Sequence, residues 1–140
     1  MSLTTIEIDG KLVGDGQPCY IIAEAGVNHN GDPALAKRLI DIAADKGADA
    51  VKFQKRTPSE ILTRAALERP YTVPTSLGAT YGEHRDRLEL SAEDFKMLKA
   101  HAQSRGITLL ASAWDTRSVD FLEALGMPAY KIASADCSNL

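Results

Sequence analysis

No apolar run in these 140 residues approaches the ~20 that a membrane-spanning helix needs, so no membrane span is expected. Met1 to Gly10 lacks the basic-then-apolar pattern of a secretory signal. Cysteine is scarce. Cys19 and Cys137 lie far apart without metal-ligand spacing, which reads as two reduced thiols in a cytoplasmic protein. The formal net charge is only −3, so no basic surface is expected to meet nucleic acid or an anionic membrane. Any attraction for anions must then be local. No Gly-rich phosphate-binding fingerprint follows the first strand pattern. What is present is ordinary for a globular domain, 44% hydrophobic and 25% charged, with length enough for one real core.

Local patterns divide the chain. In residues 4–13 (TIEIDGKLVG), Thr4, Ile6 and Ile8 alternate and Asp9-Gly10 signals a turn, which predicts a small hairpin. It precedes the repeating pattern, so it is expected as a lid or plug outside the main sheet. Residues 1–17 are assigned to this cap and 18–140 to the main unit. Tyr20 to Ala23 forms an apolar strand ending at Glu24. Asp32 and Pro33 then open a helix with Leu35, Leu39, Ile42 and Ala43 at helical spacing, and Gly47 stops it. Ala50 to Phe53 is the second strand. Residues 55–90 read as a long irregular stretch with one short helical turn near Glu60 to Leu67. Ser91, with Asp94 as capping-box partner, begins a helix whose apolar face is Phe95, Leu98 and Ala102. Thr108 to Ala111 is the third strand. A helix capped by Asp115 or Thr116 carries Val119, Leu122 and Leu125, and Ala129 to Ala133 is the fourth strand.

Strands alternating with helices imply a parallel sheet with right-handed crossovers. A doubly wound sheet and the first half of an eight-stranded α/β (TIM) barrel both fit. The missing Gly-rich fingerprint favours the half barrel. So does a final strand with no covering helix after it, which leads us to expect that the natural protein continues. Each strand pattern is apolar until it reaches a residue capable of chemistry. These are Glu24, then Lys52 and Gln54, then Ser112, then Lys131, Ser134 and Asp136. In parallel α/β folds the C-terminal strand ends form one rim, where ligands bind. Two lysines on such a rim point to an anionic substrate, a phosphate or a carboxylate. A lysine inside an apolar strand is costly to bury unless something pairs it.

Three segments carry a more specific message: IIAEAGVNHNG (Ile21 to Gly31), GADAVKFQ (Gly47 to Gln54) and YKIASADCSNL (Tyr130 to Leu140). In order and spacing they resemble the N-terminal half of the barrel domain of the sialic acid synthase family. That family condenses phosphoenolpyruvate with an N-acetylated amino sugar and releases phosphate. The resemblance implies that Glu24 serves the sugar and a proton transfer, and that Lys52 and Lys131 hold the carboxylate and phosphate of phosphoenolpyruvate. It also implies that Ser134 contacts phosphate. Asp136 stands where relatives have glutamate near the sugar, one methylene shorter. Ser112 opens a Ser-Ala-Trp-Asp segment where relatives read Ser-Thr-Pro-Phe, so Ala113 removes one expected hydrogen bond to phosphate. Gln54 either bonds substrate or satisfies backbone at the strand end. A divalent metal, Mn²⁺ or Mg²⁺, is implied with ligands from the second half of the barrel, and none is assigned here. His29 in particular is not assigned to metal.

Relatives also place a sugar-contacting asparagine in the long connection, but none occurs between Lys55 and Leu90. N-acetylmannosamine and diacetamido, legionaminic-type sugars therefore both stay open. Arg85 and Arg87 read as a solvated charged face or as substrate contacts. The rival readings are a 3-deoxy-heptulosonate synthase-like enzyme and a non-catalytic half-barrel binding module. The exposed edges of a half barrel predict self-association, hence a homo-oligomer.

Overall fold

The computed structural model describes residues 4–138. An antiparallel hairpin, β1 (Thr5–Ile8) and β2 (Lys11–Gly14), comes first. Its two turn residues, Asp9 and Gly10, both have positive φ, as a tight two-residue turn requires. The main sheet follows: β3 (Ile22–Gly26), β4 (Ala50–Lys55), β5 (Thr108–Ala113) and β6 (Tyr130–Ile132). The four strands lie in sequence order and every neighbouring pair is parallel. Helices α1 (Pro33–Asp45), α5 (Ala92–Ser104) and α6 (Thr116–Ala124) make the crossovers. Between β4 and α5 stand three short helices, α2 (Pro58–Ile61), α3 (Arg64–Leu67) and α4 (Tyr81–Arg87). This is one continuous half of an α/β barrel.

The helix boundaries follow from side chains that satisfy free backbone donors. Asp32 accepts from Ala34 N at the start of α1, and Pro33 takes the first helical position, where no donor is lost. Ser91 and Asp94 form a reciprocal capping box on α5. Asp115, not Thr116, caps α6.

The core lies between sheet and helices. Ala23, Ala25, Val51, Phe53, Leu109 and Ala111 point down from the strands onto Ala36 and Ile40 of α1, Phe95, Leu98 and Ala102 of α5, and Leu122 of α6. Each large side chain so buried is worth about 1.5–3 kcal/mol of transfer free energy. Two expected helix faces are offset. In α1 the innermost residues are Ala36, Ile40 and Ala43, while Ile42 is exposed; in α6 Val119 is exposed. Ile21 and Ile22 beside α1, and Tyr130 and Ile132 on β6, are exposed as well. Among the described residues, β3 and β6 are each paired on one side only.

The hairpin is a plug and not a lid over the rim. Thr108 Oγ1 donates to Asp9 Oδ2 at 2.8 Å, and Lys11 Nζ pairs with Asp49 at 2.9 Å. Asp49 and Thr108 stand at the N-terminal ends of β4 and β5, so the hairpin closes the end opposite the candidate rim. The Ile21 N–H and then the Lys11 ammonium hold the Asp49 carboxyl below its ordinary pKa.

The stretch 55–90 is more ordered than its Pro and Gly content suggests. Thr80 and Glu83 form a second capping box that starts α4, which the sequence reading took for loop. A rung from Tyr71 N to Ala79 O and a bridge between Pro70 and Thr80 tie its middle. Its neck is clamped by Lys55 Nζ donating to Leu90 O at 2.9 Å and by a buried pair, Arg56 Nε to Glu89 Oε1, at 2.6 Å. Arg85 lies over the Tyr81 ring at 5.7 Å and Arg87 donates to Leu77 O, so both arginines brace this excursion.

Candidate active site

The strand register decides which residues share a surface. Across β3, β4 and β5 the aligned rows are Ile22, Ala50 and Thr108, then Glu24, Lys52 and Leu110. One row further on, Gln54, Ser112 and Lys131 align across β4, β5 and β6. The alternate residues, Val51, Phe53, Leu109 and Ala111, belong to the helix-side core. Side chains alternate across a strand, so Glu24, Lys52, Gln54, Ser112 and Lys131 all lie on the opposite, inner face.

Glu24 is the third residue of the five in β3 rather than its terminator. A bulge between Glu24 and Gly26 follows it, because Glu24 pairs with Lys52 and Gly26 with Phe53. Gly26 has φ +55, which suits glycine, and a Cβ there would approach Gln54 Nε2 at 3.8 Å. The bulge sits beside the row that carries Gln54.

Lys52 is the buried cation of this face. Its side chain is 8% exposed, and its ammonium donates to Glu24 Oε2 at 2.8 Å, while the Glu24 side chain is 64% exposed. Lys131 is exposed and folds back to donate to Ile132 O at 2.8 Å. Two strand spacings and two residues separate Lys52 from Lys131, which puts their Cα atoms roughly 12 Å apart. Two four-carbon stems can converge across that gap on one small dianion. Ser112 is buried and Gln54 half-buried. Ser134 and Asp136 lie in the turn after β6, where Asp136 N donates to Ala133 O at 2.9 Å. Ser134 is exposed there and Asp136 half-buried.

The rim is also braced by His29 and Asp115, neither of them among the residues expected to touch substrate. His29 is 1% exposed; its Nδ1 accepts from Gly31 N at 3.0 Å and its ring lies 5.8 Å from that of Phe53. Burial first, then the Arg56 charge, pull its pKa down to about 4, against a weaker opposite pull from Asp32. His29 therefore serves as a neutral strut of the loop after β3. Asp115 accepts from Thr57 N, Ser118 N and Ser118 Oγ, joining the segment after β4 to α6. Burial acts to raise the Asp115 pKa, but these donors outweigh it and the net shift is downward. The chemistry of the donor set does not fit a metal. Among the described residues, no group of three or more His, Cys, Asp or Glu side chains could hold an ion. Cys19 and Cys137 are both free and exposed.

Parallel strands over a helix layer, with ionisable groups gathered on the inner face toward the C-terminal ends, define a portion of a barrel of the enzyme-bearing α/β class. The chain belongs to the NeuB family, whose model matches residues 39–140. It is 48% identical over 130 residues to N-acetylneuraminate-9-phosphate synthase of Mus musculus, covering 93% of this chain and 36% of that protein. It is 42% identical over 133 residues to N,N'-diacetyllegionaminic acid synthase of Legionella pneumophila, covering 93% of this chain and 37% of that one. Among solved structures it resembles an N-acetylneuraminic acid (sialic acid) synthetase from Leptospira borgpetersenii. The TM-score there is 0.77 and the identity 32%, over 96% of this chain and 42% of that one. The chain thus spans little more than a third of the length of the curated relatives it matches. Among the described residues, no helix is long and apolar enough to cross a membrane.

Proposed function

We propose that these residues form the phosphoenolpyruvate-binding part of a cytoplasmic nonulosonic (sialic) acid synthase. The observation that carries this reading is the single inner face holding Glu24, Lys52, Gln54, Ser112 and Lys131, with Lys52 buried and already paired. Two lysines on one face, within reach of a common point, suit a substrate bearing both a carboxylate and a phosphate. Lys52 and Lys131 hold these groups, and Ser134 and Ser112 donate hydroxyl hydrogen bonds to phosphate oxygens. Gln54 orients the partner substrate, a 2-acetamido sugar in its open-chain aldehyde form.

C3 of phosphoenolpyruvate forms a bond to the aldehyde carbon, whose oxygen takes up a proton. Water adds to C2 and gives up one proton; the C2–O bond to phosphate then breaks as the C2 hydroxyl proton passes to the departing phosphate. The products are a 2-keto acid and inorganic phosphate. Glu24 and Asp136 are the carboxylates assigned to the proton movements at the aldehyde oxygen and the water. The divalent ion that the resemblance implies would take its ligands from outside the described residues, and no step is assigned to it. The family's synthases of neuraminic and legionaminic acids leave two sugar classes to be distinguished by experiment.

The test is phosphate release from phosphoenolpyruvate by the full natural protein, with manganese and a panel of mono- and diacetamido sugars. Release that depends on one sugar and disappears in Lys131→Ala supports the reading. A folded, metal-loaded protein that releases no phosphate with any sugar overturns it.

A further inference from the structure

The ion pair on the inner face is lopsided. Lys52 is buried at 8% exposure, whereas its partner Glu24 is 64% exposed, with the two in contact at 2.8 Å. A buried ammonium needs a counter-ion at all times. Glu24 makes the only ion pair of Lys52 among the described residues, so another anion can take its place there without leaving the ammonium unpaired. The two residues sit in register on adjacent strands, so the contact follows directly from the β3–β4 pairing. The bulge immediately after Glu24 loosens the ladder on that side.

We propose that Glu24 is the resting counter-ion of Lys52, an internal stand-in for the substrate's anionic group. When that group arrives it takes over Lys52, and the Glu24 carboxylate swings free toward the second substrate. Arrival of one substrate thereby releases the carboxylate used on the other. This rests on the phosphoenolpyruvate reading above and assigns Glu24 a positioning role in addition to its proton transfer. Lys131 needs no such device, because it is exposed and its ammonium rests on the backbone carbonyl of Ile132.

The test is calorimetric binding of phosphoenolpyruvate to the full natural protein and to Glu24→Gln and Lys52→Met, alongside steady-state kinetics. Glu24→Gln keeps the side chain's shape and an amide oxygen that can accept from the Lys52 ammonium, and a thermal melt of each variant checks that it is folded. If Glu24 competes for Lys52, Glu24→Gln binds phosphoenolpyruvate about two- to fivefold more tightly, the scale of a partly exposed ion pair. Its KM for phosphoenolpyruvate and its kcat then fall together. A merely structural carboxylate would raise KM. Unchanged or weaker binding in Glu24→Gln, with binding lost in Lys52→Met, overturns the stand-in role and leaves the site reading intact. Binding that survives undiminished in Lys52→Met, or no binding by the natural protein, overturns both.

Discussion

Acidification should unlock the rim through His29. The ring is 1% exposed, and its Nδ1 accepts the Gly31 N–H, so the proton of the neutral imidazole sits on Nε2. Burial disfavours a charged ring, and the Arg56 charge disfavours it further, so the folded pKa is lowered from 6.5 to about 4. Lowering a base's pKa means that the fold prefers the neutral form. The stability this confers is complete above pH 6.5 and is lost as the pH falls toward 4. A shift of about 2.5 units amounts to roughly 3 kcal/mol, at about 1.4 kcal/mol per pH unit. Two measurements on residues 1–140 check it. The His29 ring proton, followed by NMR, should titrate near pH 4. Urea denaturation midpoints, converted to free energy, should fall more steeply between pH 6.5 and 4 than those of His29→Asn. Asparagine keeps an acceptor for Gly31 N but does not titrate. A His29 midpoint at 6.5 or above, or parallel stability curves, would refute the reasoning.

Other consequences concern the same framework. Arg56→Ala strands a nearly buried Glu89 and should cost about 3 kcal/mol in urea unfolding, with the Arg56→Met, Glu89→Met pair losing less than the two singles summed. Gly31→Ala places a Cβ 2.0 Å from Arg87 O at φ +78, so it should destabilise by at least about 2 kcal/mol and speed amide exchange across residues 84–90. Thr80→Ala removes half of the α4 capping box; a loss of about 1 kcal/mol and faster exchange at Glu83 N are expected, and unchanged exchange there would count against the cap.

Much of the architecture was legible because its causes are local. The Asp9-Gly10 turn, the Asp32-Pro33 start of α1 and the Ser91–Asp94 box each depend on residues within four positions of one another. The parallel order followed from simple alternation of strand and helix patterns. The shared inner face of Glu24, Lys52, Gln54, Ser112 and Lys131 was legible because a polar group stands out against an apolar strand, whereas Ser134 and Asp136 lie beyond β6 in a turn. Other features were hidden for physical reasons. Thr80-x-x-Glu83 is a capping signal, but prolines and glycines around it masked the roughly two-turn helix it starts. Leu35, Leu39, Ile42 and Ala43 form the expected helix face, yet of these only Ala43 sits innermost, beside Ala36 and Ile40. The surplus apolar stripe borders β3, which among the described residues is paired on one side only. The Arg56–Glu89 clamp joins residues 33 positions apart, and the Asp115 link to Thr57 spans 58, so no local pattern announces either. The bulge that leaves Glu24 short of its strand end depends on pairing with β4 and is invisible in β3 alone.

If the inner face of this sheet takes phosphoenolpyruvate between Lys52 and Lys131, a crystal structure of the full natural protein with that ligand will show it. One acidic group of the ligand should lie on the Lys52 ammonium, the other on Lys131, with Glu24 turned away from Lys52. A ligand bound elsewhere, with the Lys52–Glu24 contact intact and the inner face empty, would contradict it.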